Sequence, residues 1–297
     1  MMKIWLDITG KRKLWFLISA LVILPGVISL LFQGLNLGID FRGGTLLQLQ
    51  FTEAVDVAKV REVLAERGFG QSSIQSSGGK SVFIRAQDMD EDQRREVLTA
   101  LGEELPSFDI MRIEKVGAVI SSELRNAAFL ALFLASILMI VYITLRFEFK
   151  FAIAAILALL HDVLAVVGIF SLFRIQIDST FVAAILTIVG YSVNDTIVFF
   201  DRIRENLKGY RKRLVSPIVN ESVNQVLVRA LNTSLTTLFV IVALLFLGGE
   251  TTKTFALALF IGVIVGTYSS IFIANNIWAY WRDRDEVKRL ALHGGSC

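Results

Sequence analysis

Three places in this chain put ionisable side chains where the surrounding sequence is apolar. The first is Gly190-Tyr191-Ser192-Val193-Asn194-Asp195-Thr196. Asp195 lies in an apolar run that ends at Phe200-Asp201, which puts it about 9 Å inside that run at the rise of a helix. A carboxyl at that depth is too short to reach back to water. A charge at the centre of a span costs at least about 2.5–3.5 kcal/mol. Ser192 falls one turn away on the same helical face, and Asn194 is its sequence neighbour. Burial disfavours a carboxylate and a nearby cation favours it, so a carboxyl held between the two can load and release a proton. The alternative is an aspartate permanently paired or hydrogen-bonded for structure. The second place is Arg229, just before another apolar run and followed by Asn232, Thr233, Ser234, Thr236 and Thr237. It is either the cation that answers Asp195 or an arginine reaching back to the interface. The hydroxyl-rich stretch after it fits a helix packed on other helices. The third is His161-Asp162, halfway along its run. This pair fits a proton relay, hydrogen bonding between helices, or part of a metal site. A metal needs more ligands, and the only other histidine is His293, so no metal site is expected.

These residues need helices that span a bilayer, and composition demands the same. Hydrophobic residues make up 54% of the 297 and charged residues 19%, against about 45–50% and about 25% in soluble domains. Six runs meet the spanning length of roughly 20 residues: Leu14–Gly34, Asn126–Leu145, Phe151–Phe173, Ser179–Phe200, Ala230–Gly249 and Thr254–Trp281. The first is too long, and lacks the cleavage site, for a signal peptide, so it reads as an uncleaved anchor. Lysines and arginines gather at the N-terminus (Lys3, Lys11, Arg12, Lys13), in the loop after the fourth run (Arg202, Arg204, Lys208, Arg211, Lys212, Arg213) and in the tail. That distribution puts both termini inside. Trp278, Tyr280 and Trp281 read as an interfacial aromatic belt. Gly262, Gly266 and Ser270 recur every four residues, the spacing of close helix contact.

Residues 35–122, between the first two spans, are polar and long enough to fold. Thr45–Phe51 alternates as a strand. Asp56 caps a helix with Val57, Val60 and Leu64 on one face, ended by Gly68. Ser72–Ser76 and Ser81–Ala86 read as strands around Gly78-Gly79. Asp90–Leu105 reads as a helix and Asp109–Val116 as a last strand. The order β-α-β-β-α-β is the ferredoxin-like arrangement. The expected fold is therefore an α-helical polytopic membrane protein with six transmembrane helices and one external α+β ferredoxin-like domain. Its parts are residues 1–34 (N-terminus and first span), 35–122 (external domain), 123–281 (the remaining spans) and 282–297 (tail).

Several function classes drop out. A single cysteine at the terminus (Cys297) excludes a disulfide scaffold. The low proline content and large apolar fraction exclude disorder. Basic loops of a membrane protein account for the net charge of +3 without nucleic acid. There is no P-loop and no G-x-S-x-G elbow, so neither ATP use nor a serine nucleophile is expected. No catalytic residue is assigned. An intramembrane protease would need Asp162 and Asp195 to meet through particular packing. An assembly factor whose buried charges only hold helices together stays open.

The chain resembles the SecF family of protein-export subunits, within the RND superfamily. Four segments carry the resemblance: Gly38-Ile39-Asp40-Phe41-Arg42-Gly43-Gly44-Thr45 after the first span, His161-Asp162, Gly190–Thr196 running on into Asp201-Arg202-Ile203-Arg204-Glu205-Asn206, and Arg229 with Asn232–Thr237. The resemblance implies a multi-pass protein of the bacterial inner membrane and an obligate SecD partner that completes a twelve-span unit. It implies work on a translocating preprotein at the SecYEG translocon, with YajC as a further associate and membrane lipid around the bundle. It also implies no cofactor, protons as coupling ion with sodium as the alternative, and a proton pathway through Asp195 and Arg229. His161, Asp162, Ser192 and Asn194 would be part of that pathway or its scaffold, and Asp40, Gly43 and Gly44 a periplasmic motif. A proton-driven exporter of lipids or small molecules is the competing reading.

Overall fold

The computed structural model describes residues 6–208 and 215–293, and only the backbone at 118–119, 250–251 and 286–293. Lys3, Arg211, Lys212, Arg213 and Cys297 lie outside the described residues. The chain forms two compact units. One is Leu37–Ala131 with Gln176–Ser179, and the other is the rest of the chain.

Helix α1 (Arg12–Gln33) precedes the first unit, which begins at Leu37 within the two-residue strand β1 (Asn36–Leu37). A single turn, α2 (Ile39–Arg42), leads into β2 (Gly44–Phe51). Then come α3 (Val57–Glu66), β3 (Ser73–Ser77), β4 (Ser81–Ala86), α4 (Glu91–Glu104) and β5 (Phe108–Val116). The strands lie in the order β3-β4-β2-β5, and every neighbouring pair is antiparallel. Alternation sends Leu47, Leu49 and Phe51 to one face, where they pack with Val60, Leu64, Val97 and Leu101 of the two helices. The opposite face carries a smaller cluster of Ile39, Leu46 and Phe83. Asp56 accepts the Ala58 N–H as helix cap. Asp90 and Gln93 form a reciprocal capping box.

Among the described residues six helical segments are long and apolar enough to cross a membrane: Arg12–Gln33, Ile120–Arg146, Phe149–Leu172, Ser179–Leu207, Val215–Leu247 and Thr252–Asp285. They belong to α1, α5 (Ala118–Arg146), α6 (Phe149–Leu172), α7 (Ser179–Leu207), α8 (Val215–Leu247), and α9 (Glu250–Ser269) continued through a π-helical turn, Ser270–Ala274, into α10 (Asn275–His293). After α6 the two-residue strand β6 (Gln176–Ile177) precedes α7.

Two helices outrun the apolar stretches that announce them. α7 continues past Phe200 to Leu207, and α8 starts at Val215 rather than Ala230. Hydropathy marks the lipid-facing length of a helix, whereas amphipathic turns outside the bilayer continue it. In α8 those turns bury Ile218, Val219, Val223 and Leu227. Their polar side holds the chain before α1. The Asn220 side-chain carbonyl accepts the backbone N–H groups of Ile8 (3.0 Å) and Thr9 (2.9 Å), and Asn224 bonds both the N–H and the carbonyl of Leu6. Asp283 of α10 accepts the Val215 N–H at 2.7 Å and the Ser216 hydroxyl, capping the start of α8.

Helix contacts in the bundle rest on small residues. A Cβ on Gly26 of α1 would sit 2.7 Å from the Gly168 Cα of α6. Gly262 faces Ile188, Gly266 faces Ser192, and Ser270 bonds Thr196 at 2.8 Å, so both helices advance four residues per contact. The small-residue stripe read from the sequence is thus the α7–α9 seam. The aromatic belt needs correction: Trp278 is fully buried and stacks on Phe151, with ring centroids 4.4 Å apart. A turn of helix carries the other two aromatics to different faces, and Tyr280 is the exposed one.

Because backbone meets backbone at Gly26 and Gly168, an alanine at either site has nowhere to go. Overpacking of this kind costs about 1–3 kcal/mol. Gly26→Ala and Gly168→Ala should each lower the melting temperature of the purified chain in detergent. An unchanged melt for both would rule out backbone-to-backbone packing at this crossing.

Candidate functional site

The polar centre of the bundle is Asp162 on α6, which is fully buried. Its Oδ2 accepts the hydroxyls of Ser192 on α7 (2.5 Å) and Ser269 on α9 (2.8 Å). Its Oδ1 lies 3.0 Å from His161 Nδ1, and His161 Nε2 lies 2.9 Å from the Ser19 hydroxyl of α1. A neutral ring with its proton on Nδ1 satisfies both contacts, donating to Asp162 and accepting from Ser19. Four helices therefore meet at one carboxylate and its histidine. Ser19 and Ser269 escaped the sequence reading. The available signal was a lone hydroxyl amid aliphatic residues, at Ser19, and a hydroxyl flanking the small-residue stripe, at Ser269. Ser192, one turn from Asp195 on α7, gives its hydroxyl to Asp162.

A second chain of hydroxyls lies alongside. Tyr191 donates to Ser234 of α8 (3.2 Å), and Ser234 shares a 2.7 Å hydrogen bond with Thr267 of α9. The π-helical turn adjoins the seam. There the Asn275 side-chain amide donates to the Ser270 and Ile271 carbonyls.

Asp195 is buried, with 7% of its surface exposed. Its Oδ2 is enclosed without a hydrogen-bond partner among the described residues. One turn along α7, Val198 opens onto an 860 Å³ crevice whose charged lining includes Arg146, Asp201, Arg202, Arg204 and Arg229. Arg146 approaches Asp201 at 3.9 Å, and Arg202 pairs with Glu205. Arg229 stands exposed at this crevice. No hydrogen bond or ion pair among the described residues joins it to Asp195. Thr233 and Thr236 are likewise exposed and return their hydroxyls to their own backbone. The hydroxyl-rich part of α8 therefore presents a polar face outward, with only Ser234 buried inside the chain. Asn194 is exposed as well.

In the other unit, the Gly38–Thr45 motif forms a junction. Gly38 donates its N–H to the Ile177 carbonyl at 2.8 Å. Ser121, at the start of α5, donates to the Ile39 carbonyl. Asp40 Oδ2 accepts the N–H of Ser179, the first residue of α7, at 2.8 Å. Gly43 and Gly44 have φ of 79° and 138°, and a Cβ on Gly44 would lie 2.4 Å from the Ala86 carbonyl oxygen. Only glycine fits there. Among the described residues no cluster of His, Cys, Asp or Glu is grouped as a metal site.

Six apolar spans, an α+β unit inserted after the first, and ionisable groups in the bundle core define a polytopic membrane protein of the transport kind. Residues 96–284 match the family described as protein export membrane protein SecD/SecF, C-terminal, and residues 28–55 match the SecD/SecF GG motif. The protein translocase subunit SecF of Sebaldella termitidis is 43% identical over 91% of this chain and 90% of its own length. That of Synechocystis is 39% identical over 93% of this chain and 94% of its own. The solved SecDF of Thermus thermophilus is 37% identical with a TM-score of 0.88, and a second SecDF structure, in its super-membrane-facing form, gives 36% and 0.75. This chain covers 95% and 98% of itself in those two matches, but only 39% and 40% of the SecDF chains. The chain belongs to the SecF family, a multi-pass membrane group of transport subunits rather than enzymes.

Two predictions follow the geometry. Asp162→Ala strands donors from three helices, and leaving buried polar groups unpaired costs about 1–3 kcal/mol each. The variant should accumulate poorly or melt well below wild type, and Ser192→Ala should add little once Asp162 is gone. Additive losses would show that the hydroxyls do not act through the carboxylate. Asp40→Ala removes a carboxylate from a helix N-terminus, worth about 0.3–1 kcal/mol and up to ~2 when partly buried. Amide exchange at Ser179 should rise severalfold, and Asp40→Asn should restore most of the protection.

Proposed function

We propose that this chain is the SecF-type subunit of an export factor that uses the proton motive force, with a SecD-type chain as its obligate partner. On this reading both termini are cytoplasmic, and residues 35–122 form a periplasmic ferredoxin-like domain. That domain acts on a preprotein late in its passage through SecYEG. The β-α-β-β-α-β order with strands arranged β3-β4-β2-β5 supports the domain reading. Two uncovered surfaces support a partner. The outward polar stripe of α8 is costly against lipid. The edge strand β5 leaves Ile110, Met111 and Ile113 exposed.

The observation that carries the proton reading is Asp195: buried, one oxygen without a partner, and one helical turn from an open charged crevice. A proton is the smallest particle that can complete such a site. Arg229 at the crevice holds a positive charge near the path. It tunes when a proton passes, and does so without a standing ion pair to Asp195. His161 and Asp162 serve as scaffold on this reading, since their hydrogen bonds are already complete. One charge crossing 100 mV releases about 2.3 kcal/mol, enough to shift a two-state equilibrium roughly fiftyfold. The shift reaches the periplasmic domain through α7, whose first residue is held by Asp40.

The test is export of a signal-peptide-bearing reporter in cells depleted of their own SecF. Wild type with a matched SecD should restore export. Asp195→Asn and Arg229→Met should accumulate normally yet restore at most about a tenth of it, an effect of about 1.4 kcal/mol or more. Full rescue by both variants would remove the proton pathway from these residues and leave the export role standing.

A further inference from the structure

At the end of the bundle where α1 begins and α10 leaves the membrane, a 380 Å³ cavity is lined by Arg12, Lys13 and Arg284 together with Phe16, Tyr280 and Trp281. It is distinct from the crevice near Asp195, with which it shares no lining residue. Among the described residues three cations and no carboxylate line it. Two acids of the same stretch of α10 are committed elsewhere. Asp283 caps α8, and Asp285 pairs with Lys150. Arg282 turns away to Glu148. Asp7 accepts the Gly10 N–H and the Asn220 amide, and these bonds, with Lys11 nearby, hold its pKa below the ordinary value. Arg12 lies 5.0 Å over the Tyr280 ring, a position that steadies its guanidinium without neutralising it.

Below the cations the surface turns apolar. Phe16 is partly exposed, and Leu17, Leu21, Leu24, Ile28 and Leu31 of α1 form an exposed stripe running away from Lys13 along the helix. Cations at the rim, aromatic rings at headgroup depth and an aliphatic track beneath them match one kind of ligand along its whole length. A free anion would use only the rim, and a soluble protein only the charges. Basic cavities between spans on the cytoplasmic side are suited to acidic lipid headgroups. We propose that this cavity binds the phosphate of an anionic glycerophospholipid, with one acyl chain laid along the exposed stripe of α1. The bound lipid would tie the start of α1 to the end of α10. This inference does not depend on the proton pathway.

The test uses the full chain in phosphatidylcholine vesicles, with tryptophan fluorescence quenched by brominated lipids. Brominated phosphatidylglycerol should quench far more effectively than brominated phosphatidylcholine. With Trp5 and Trp15 replaced by Phe throughout, Trp281→Phe should remove the difference, because Trp281 lines the cavity and Trp278 is buried away from lipid. Each cation contributes roughly a fivefold preference, so Lys13→Gln, at an exposed site, should cut the preference about fivefold. The Arg12→Gln, Lys13→Gln, Arg284→Gln triple variant should reduce it to near that of phosphatidylcholine. Equal quenching by both lipids in wild type would overturn the proposal, and so would a preference that Lys13→Gln leaves intact. Loss of the preference in millimolar inorganic phosphate at constant ionic strength would also overturn it, by showing a site for the free anion.

Discussion

A carboxylate enclosed by helices inside a membrane has to be met by donors, and at Asp162 that requirement fixes the bundle. Removing an ion from water costs several kcal/mol even after relaxation. Asp162 offsets this with two serine hydroxyls from α7 and α9 and the ring of His161, which is in turn held by α1. Such bonds are short, so the helix axes must be close. That explains why Gly266 faces Ser192: its missing side chain leaves the room, with a hypothetical Cβ only 3.2 Å from Ser192 Cβ and 3.6 Å from Asp162 Oδ2. The seam of small residues is therefore a consequence of where the charge sits. In hydrocarbon there is no hydrophobic drive between helices to bring them together otherwise.

The sequence made the number of spans and the four strands of the larger sheet legible, the strands to within a residue, because hydropathy and periodicity are local signals. Asp56 announced its helix as a cap, and the cap is there. What the sequence could not give was partnership. Ser192 and Asp195 share a helical face, yet the hydroxyl serves Asp162, thirty residues earlier in the chain. Arg229 and Asp195 have the chemistry of a pair, yet no contact joins them, since α8 places the arginine at an open crevice. Trp278 had the composition of a belt residue and lies in the core, because neighbouring positions on a helix point about 100° apart. Side-chain partnership is a property of tertiary register, and no local pattern encodes it.

The two membrane aspartates thus differ in kind. Asp162 has its donors supplied by the same chain. Asp195 has an enclosed oxygen with no partner, and sits close to a crevice of mixed charge. A buried polar atom without a partner is rare enough to call for a reason. Supply from outside the chain is the economical one, whether by a proton, a water or a side chain of a second subunit packed on the outward stripe of α8. The same stripe explains why six spans by themselves look unfinished.

How a local event at Asp195 can matter far away is a question about α7. The helix is continuous from Ser179 to Leu207. Asp195 stands sixteen residues from its start, about 24 Å at the helical rise. A helix of that length moves as a rod unless a proline or bulge breaks it, and α7 contains neither. Its first residue belongs to the compact unit of the sheet and is bonded there by Asp40. The glycines that follow Asp40 hold β2 against the Ala86 carbonyl with no room for a side chain. Within that unit the turn therefore has no slack for side-chain rearrangement at Gly44, and Asp40 holds the first N–H of α7 beside it.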